Sequence, residues 1–171
     1  MKELLAAVGL MTTPVELPDP TTLSVPQRIH KEVKCLADNI YFESRSESLA
    51  GQLAVAHVVM NRVEDPRFPN SICEVVYEGP HYKSQNGKLY PKKNRCQFSW
   101  YCDGLSDEIP KRHEKWYKRM EAVAWAVHQG EYKDITEGAT HYHANYVHPS
   151  WAKVYTLTTT IDTHIFYRWE K

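Results

Sequence analysis

The sequence predicts a mainly helical α+β domain with a small antiparallel β element. Apolar residues recur at helical spacing in three segments, they alternate with polar residues at a period of two only near the C-terminus, and no internal repeat is apparent. At 171 residues the chain suits one core, with residues 26–171 expected as a single domain behind a flexible leader of residues 1–25. Pro14, Pro18 and Pro20 among several threonines disfavour helix in that leader.

Ser24 followed by Val25 and Pro26 has the character of a helix start. Ile29, Val33, Leu36 and Ile40 then repeat at spacings of four, three and four, the stripe of a helix packed on a core. The next position of that stripe is Glu43. After a break at 44–48, the Ala- and Val-rich run 49–63 predicts a second, well-buried helix with Leu53, Ala56, Val59 and Met60 on one side. Pro66 and Pro69 close it, and the Gly- and Pro-rich stretch 70–110 reads as loops and short hairpins. Trp116, Met120, Val123 and Val127 mark a third helix, ended by Gly130. From Tyr155 to Trp169 the period falls to two, which predicts a strand or hairpin with Leu157, Thr159, Ile161, Ile165 and Tyr167 on one face.

Composition narrows the function. Lys and Arg total 21 against 21 Asp and Glu, and a balanced chain lacks the basic surplus that a nucleic-acid binder uses to neutralise phosphates. The apolar run Leu4–Met11 is far too short to span a bilayer and too weakly charged at its front for a signal peptide. The chain is expected to be soluble. Aromatic residues make up 12%, a surplus that suits either a small core or a groove that stacks sugars or bases. Cys35, Cys73, Cys96 and Cys102 form no CxxC pair, which argues against a zinc ribbon or redox motif. Free thiols are the default expectation, with one disulfide among Cys73, Cys96 and Cys102 open in an oxidising compartment.

Glu43 is the sharpest local conflict, because a carboxylate stands where the helix stripe calls for an apolar side chain. If it opens into a cleft, desolvation raises its pKa and lets it hold a proton near neutral pH, as a general acid acting on a glycosidic oxygen requires. The plainer reading makes it the first polar residue after the helix, bonded to the next helix N-terminus. In Gln97-Phe98-Ser99-Trp100 an extended backbone puts the two polar side chains on one side, fit to bond acetamido or hydroxyl groups, with Phe98 and Trp100 as apolar backing or core. His141 and His143, with His148 further on, fit a permissive zinc pattern, in which Glu43 would serve as base of an amidase.

The stretch 36–47 (LADNIYFESRSE) and its continuation 51–63 (GQLAVAHVVMNRV) resemble the opening motif of the SleB-type cell-wall hydrolases, the family of spore-cortex-lytic enzymes and related phage endolysins. In the same order, 68–77, 96–100, 138–143, 149–151 and 164–167 also resemble that family, so the likeness spans about residues 30–169. Where the family commonly reads Glu-Ala-Arg-Gly-Glu, this chain has Glu43-Ser44-Arg45-Ser46-Glu47.

The resemblance implies a lysozyme-like fold that cuts the β-1,4 bond between N-acetylmuramic acid and N-acetylglucosamine in peptidoglycan. Glu43 falls on the family's catalytic glutamate, acting as a lytic transglycosylase that closes a 1,6-anhydro ring on the muramoyl product. Ser44 resembles the serine that follows the acid in other lytic transglycosylases. A hydrolytic, lysozyme-type outcome would need a second carboxylate or a held water, for which Glu47, Asp103 and Asp162 are open. Ser44, Glu47, Gln97, Ser99, Trp100, His141, Tyr142, His143 and Trp151 are the expected substrate-binding residues, with Tyr146 as a further stacking surface. No cofactor or metal is expected, the partner is the glycan strand of peptidoglycan, and a monomer is expected. The setting is the bacterial wall, reached from the host cytoplasm if the chain is a phage endolysin. A zinc amidase and a non-catalytic wall-binding module are the competing readings.

Overall fold

A computed structural model describes residues 25–170. The expected leader and the Ser24 cap therefore lie outside the described residues, except for Val25. Helix α1 (Val25–Ser44) is followed by α2 (Leu49–Glu64), a short α3 (Ile72–Val76), the hairpin β1 (His81–Lys83) and β2 (Leu89–Pro91), helix α4 (Glu114–His128), and three strands, β3 (His141–Ala144), β4 (Thr156–Ile161) and β5 (His164–Arg168).

Helix α1 is central and packs against α2, α3 and α4. Its stripe Val33, Leu36 and Ile40 is buried as the spacing requires, and Ala37 and Tyr41 widen it. Asp38 and Asn39 are buried there as well. Asp38 accepts bonds from Lys34 Nζ at 2.8 Å and the Tyr117 hydroxyl at 2.5 Å, and Asn39 Oδ1 accepts from Trp100 Nε1 at 3.0 Å. Helix α2 is buried nearly all round: Leu53, Ala56 and Val59 join the main core, while Ala54 and Val58 face a second cluster with Ala139 and Phe166. It starts on Ser48, whose hydroxyl accepts from Gly51 N–H, and α4 gives way to Gly130 in the left-handed region, φ 73°.

Strands β3, β5 and β4 form an antiparallel sheet in that order. The turn between β4 and β5 is docked onto the α1–α2 loop: Asp162 Oδ2 accepts from Ser48 N at 2.9 Å and Ser48 Oγ at 2.6 Å, and Thr163 Oγ1 donates to Glu47 Oε1 at 2.7 Å. Gly51 lets the two approach, since a Cβ there would stand 2.5 Å from Asp162 Oδ2.

Several expectations are corrected. Residues 72–76 form a helix, because Ser71 caps the run and Cys73 is tied to α1. Trp116 is exposed at 54%; it lies in the first turn of α4 against His113, and the buried stripe begins one turn later at Met120. Strand β5 buries His164, Phe166 and Tyr167 rather than one alternate face, because it is the middle strand, with α2 on one side and the rings of His143 and Trp151 on the other. All four cysteines are paired, as Cys35–Cys73 and Cys96–Cys102. Cys35 was outside the expected set because nothing local shows that a helical cysteine faces one 38 residues away.

Candidate active site

The last turn of α1 carries Glu43 into a cleft of about 720 Å³. Its other walls are residues 99–113 on one side and β3 with the turn after it on the other, closed by His164. Glu43 is half-buried, and its Oε2 accepts a 2.8 Å hydrogen bond from the Tyr142 hydroxyl. Burial pushes the Glu43 carboxyl above its ordinary value, while the Tyr142 bond and the Arg62 charge pull it partly back. The balance favours a carboxyl that keeps its proton to higher pH than a surface glutamate. Tyr142 in turn is raised well above the usual phenol value, first by burial and then by the Glu43 charge, so it stays a donor.

Arg62 supplies the positive charge from behind. It is buried, with its guanidinium between the Phe68 and Phe98 rings at 5.2 Å from each, and its Nε donates to Thr140 O at 2.7 Å. Next to it, Asn61 Nδ2 donates to Ala139 O at 2.9 Å and to Asp134 Oδ2 at 3.0 Å. Asp134 also accepts from Thr136 N at 2.7 Å and Gly138 N at 2.8 Å. These contacts fix the entry into β3, and hence the place from which Tyr142 reaches Glu43. The sequence reading missed both roles of Arg62. The available signal was a charged residue inside a helix otherwise nearly continuous in apolar side chains.

Of the ten expected site residues, Glu43, Ser99, Trp100, Tyr142 and His143 line the cleft. Trp100 does so as a largely buried wall, 4.5 Å from the Phe42 ring in a stacked pair. Tyr146 also lines the cleft and is 79% exposed. The other five lie elsewhere. Ser44 is buried and donates to Ile40 O at 2.9 Å, so its hydroxyl serves the helix and does not orient the Glu43 carboxylate. Glu47 holds the β4–β5 turn. Gln97 is exposed, and its N–H donates to Glu78 O at 3.0 Å. His141 and Trp151 pack with Tyr155 and Trp169 in an aromatic group beyond β3, where burial and the Arg62 and Arg67 charges push His141 down to about 4.

The His-rich segment does not assemble a zinc site. His143 Nδ1 donates to Ala144 O at 2.9 Å and its Nε2 bonds the Tyr167 hydroxyl at 3.0 Å, so both ring nitrogens have protein partners. Among the described residues no group of three or more His, Cys, Asp or Glu is placed to hold a metal ion, and no helix is long and apolar enough to cross a membrane.

The Glu43–Tyr142 bond yields a direct test. Tyr142→Phe keeps the ring packing and removes the donor, and kcat is expected to fall about tenfold, the worth of one hydrogen bond to a charged group. Because that bond lowers the Glu43 pKa, the basic limb of the pH–rate profile should move to higher pH in the variant. An unchanged profile would show that the pair does not act on the acid.

Comparison with known proteins gives three findings. A family model described as Cell Wall Hydrolase matches residues 46–167, beginning three residues after Glu43. The spore cortex-lytic enzyme of Bacillus subtilis is 29% identical over 89 residues, which are 52% of this chain and 29% of that enzyme. The chain thus matches less than a third of that relative's length. Two solved structures share the fold at a TM-score of 0.57 and 25% identity: the catalytic domain of the Bacillus cereus SleB protein, over 81% of this chain and 91% of that one, and that of the germination-specific lytic transglycosylase SleB of Bacillus anthracis, over 88% and 100%.

Proposed function

Because the chain belongs to the cell wall hydrolase family, we propose that it cleaves the β-1,4 bond between N-acetylmuramic acid and N-acetylglucosamine in peptidoglycan, with Glu43 as general acid and base. The observation that carries this is a carboxyl whose pKa burial raises, fixed by Tyr142 and open to a cleft. Glu43 gives its proton to the leaving glycosidic oxygen as the bond to the muramoyl C1 breaks. As carboxylate it then takes the proton of the muramoyl 6-hydroxyl, whose oxygen closes on C1 to form the 1,6-anhydro ring. No water enters, and the acid is restored.

Two of the three carboxylates considered for a hydrolytic role support the transglycosylase outcome by being engaged elsewhere. Glu47 and Asp162 both secure the β4–β5 turn, and Asp103, which does line the cleft, accepts from Leu105 N at 2.7 Å. Asp107 lines the same wall, but burial, Asp103 and Asp38 raise it, which disfavours the ionised base or nucleophile that a hydrolytic reaction would need as partner to Glu43. Mass analysis of the fragments released from purified peptidoglycan tests the proposal. Anhydro-muramoyl ends are expected, hydrated reducing ends would make the enzyme a hydrolase of the same bond, and free stem peptides would overturn both. The setting that we attach to this chemistry is lysis of a bacterial wall, as by a phage endolysin. Clearing of intact sacculi by the purified chain alone is its minimal requirement.

A further inference from the structure

We propose that the β1–β2 hairpin and the loop after it form a second substrate contact, which binds the stem-peptide carboxylates of the glycan strand alongside the cleft. The proposal rests on the peptidoglycan reading above and extends it to what the enzyme recognises beyond the sugars.

Between residues 79 and 102 the sequence holds Lys83, Lys88, Lys92, Lys93 and Arg95 and no Asp or Glu, in a chain whose charges otherwise balance. The rest of the molecule is therefore net acidic. All five basic side chains are exposed, and among the described residues none of them forms an ion pair. Five like charges on a short hairpin repel one another, and an anionic partner relieves that cost. Apolar surface accompanies the charge. Tyr82 and Tyr90 stack at 5.9 Å with 51% and 37% of their surface exposed, Leu89 is 63% exposed, and Lys88 Nζ lies 5.5 Å from the Tyr90 ring.

The hairpin is fixed to the cleft wall. Lys92 N–H donates to Pro80 O at 2.8 Å, Asn94 N–H to Cys102 O at 2.9 Å, and the Cys96–Cys102 disulfide closes the base. Its basic run reaches the rim, because a Cβ placed on Gly104 would meet Lys93 Nζ at 3.4 Å, and Gly104 stands between the cleft residues Asp103 and Leu105. The sugars of peptidoglycan are neutral, and its anionic groups are the carboxylates of the peptides carried on the muramoyl lactyl ethers. A cationic surface beside a cleft for that glycan meets those carboxylates first.

The test compares soluble glycan strands that carry stem peptides with the same strands stripped by an amidase. It uses wild type and a variant combining Lys83→Gln, Lys88→Gln, Lys92→Gln and Lys93→Gln. Since these lysines make no ion pair, the melting temperature is expected to hold. The variant should lose about tenfold in kcat/KM on peptide-bearing strands, through KM, and clearly less on stripped strands, which keep only the single lactyl carboxylate that the amidase frees on each muramoyl residue; added salt should reproduce the loss in wild type. Equal effects on the two substrates, or none, overturn the proposal. A loss confined to walls that retain phosphate-rich polymers also overturns it and assigns the surface to those polymers. Binding of both proteins to the two kinds of strand, read by co-sedimentation, needs no cleavage. A fourfold-variant defect there that is larger on peptide-bearing than on stripped strands upholds this contact even if the released ends refute the glycosidase reading.

Discussion

Glu43→Gln is expected to abolish wall cleavage, with kcat down about a thousandfold or more, while the protein becomes no less stable at neutral pH. Loss of activity follows from loss of the transferable proton. The amide keeps the size of the acid and still accepts from the Tyr142 hydroxyl, so the cleft keeps its shape. The stability half follows from the sign of the shift. The Glu43 pKa is raised in the fold, first by burial, so below the ordinary carboxylate range folded and unfolded chains are both protonated and its contribution is fully present. As pH rises through that range and on through the raised folded value, the unfolded chain ionises freely while the folded one buries a charge, and stability is lost. At pH 7 the wild type carries that penalty and the glutamine variant does not. Melting curves should therefore place the variant at or above wild type at pH 7 and level with it near pH 4. A variant that retains more than about a tenth of wild-type turnover would remove Glu43 from the mechanism, and one that unfolds at neutral pH would show the carboxylate to be structural.

What the sequence made legible here is local, and what it hid is long-range. The α1 stripe could be read because each residue of it meets the same core, and Glu43 stood out as the one position that broke the pattern. The second and third helices and the C-terminal hairpin followed in the same way from spacing alone. The misread residues are those whose partners lie far away in sequence. Glu47 looked like a second catalytic acid until the β4–β5 turn, more than 100 residues on, was found to occupy it. Arg62, at the end of α2, is buried behind the catalytic candidate by the Phe68 and Phe98 rings and the Thr140 carbonyl, partners that nothing local in the sequence names. The histidines of β3 looked equivalent. Their strand sets His141 and His143 against the Trp151, Tyr155 and Tyr167 rings on one face, and Tyr142 between them points to the opposite face, where it meets Glu43.

Replacing Cys35 and Cys73 together by alanine is expected to cost about 4 kcal/mol while leaving the cleft untouched. The bridge joins residues 38 apart and ties the middle of α1 to α3, so cutting it frees a long loop in the unfolded chain, which is where a cross-link has most of its effect. By the same reasoning the Cys96–Cys102 bridge, which closes a span of 6, is worth about 2 kcal/mol. Both stand against a total of about 5–15 kcal/mol for a domain of ordinary stability. In a reducing compartment the chain would thus give up a large part of its margin, whereas outside the cytoplasm, where the wall lies, it keeps it. Thermal melting with and without reductant reads this out: the Cys35→Ala, Cys73→Ala protein should melt about 10 °C below wild type and respond to reductant only through the remaining bridge. Its activity at low temperature should be close to wild type, because neither cysteine lines the cleft. An unchanged melting temperature would mean that helix packing alone holds α1 and α3 together. A collapse of activity in a folded variant would mean that the bridge positions Glu43, about two helical turns further along α1.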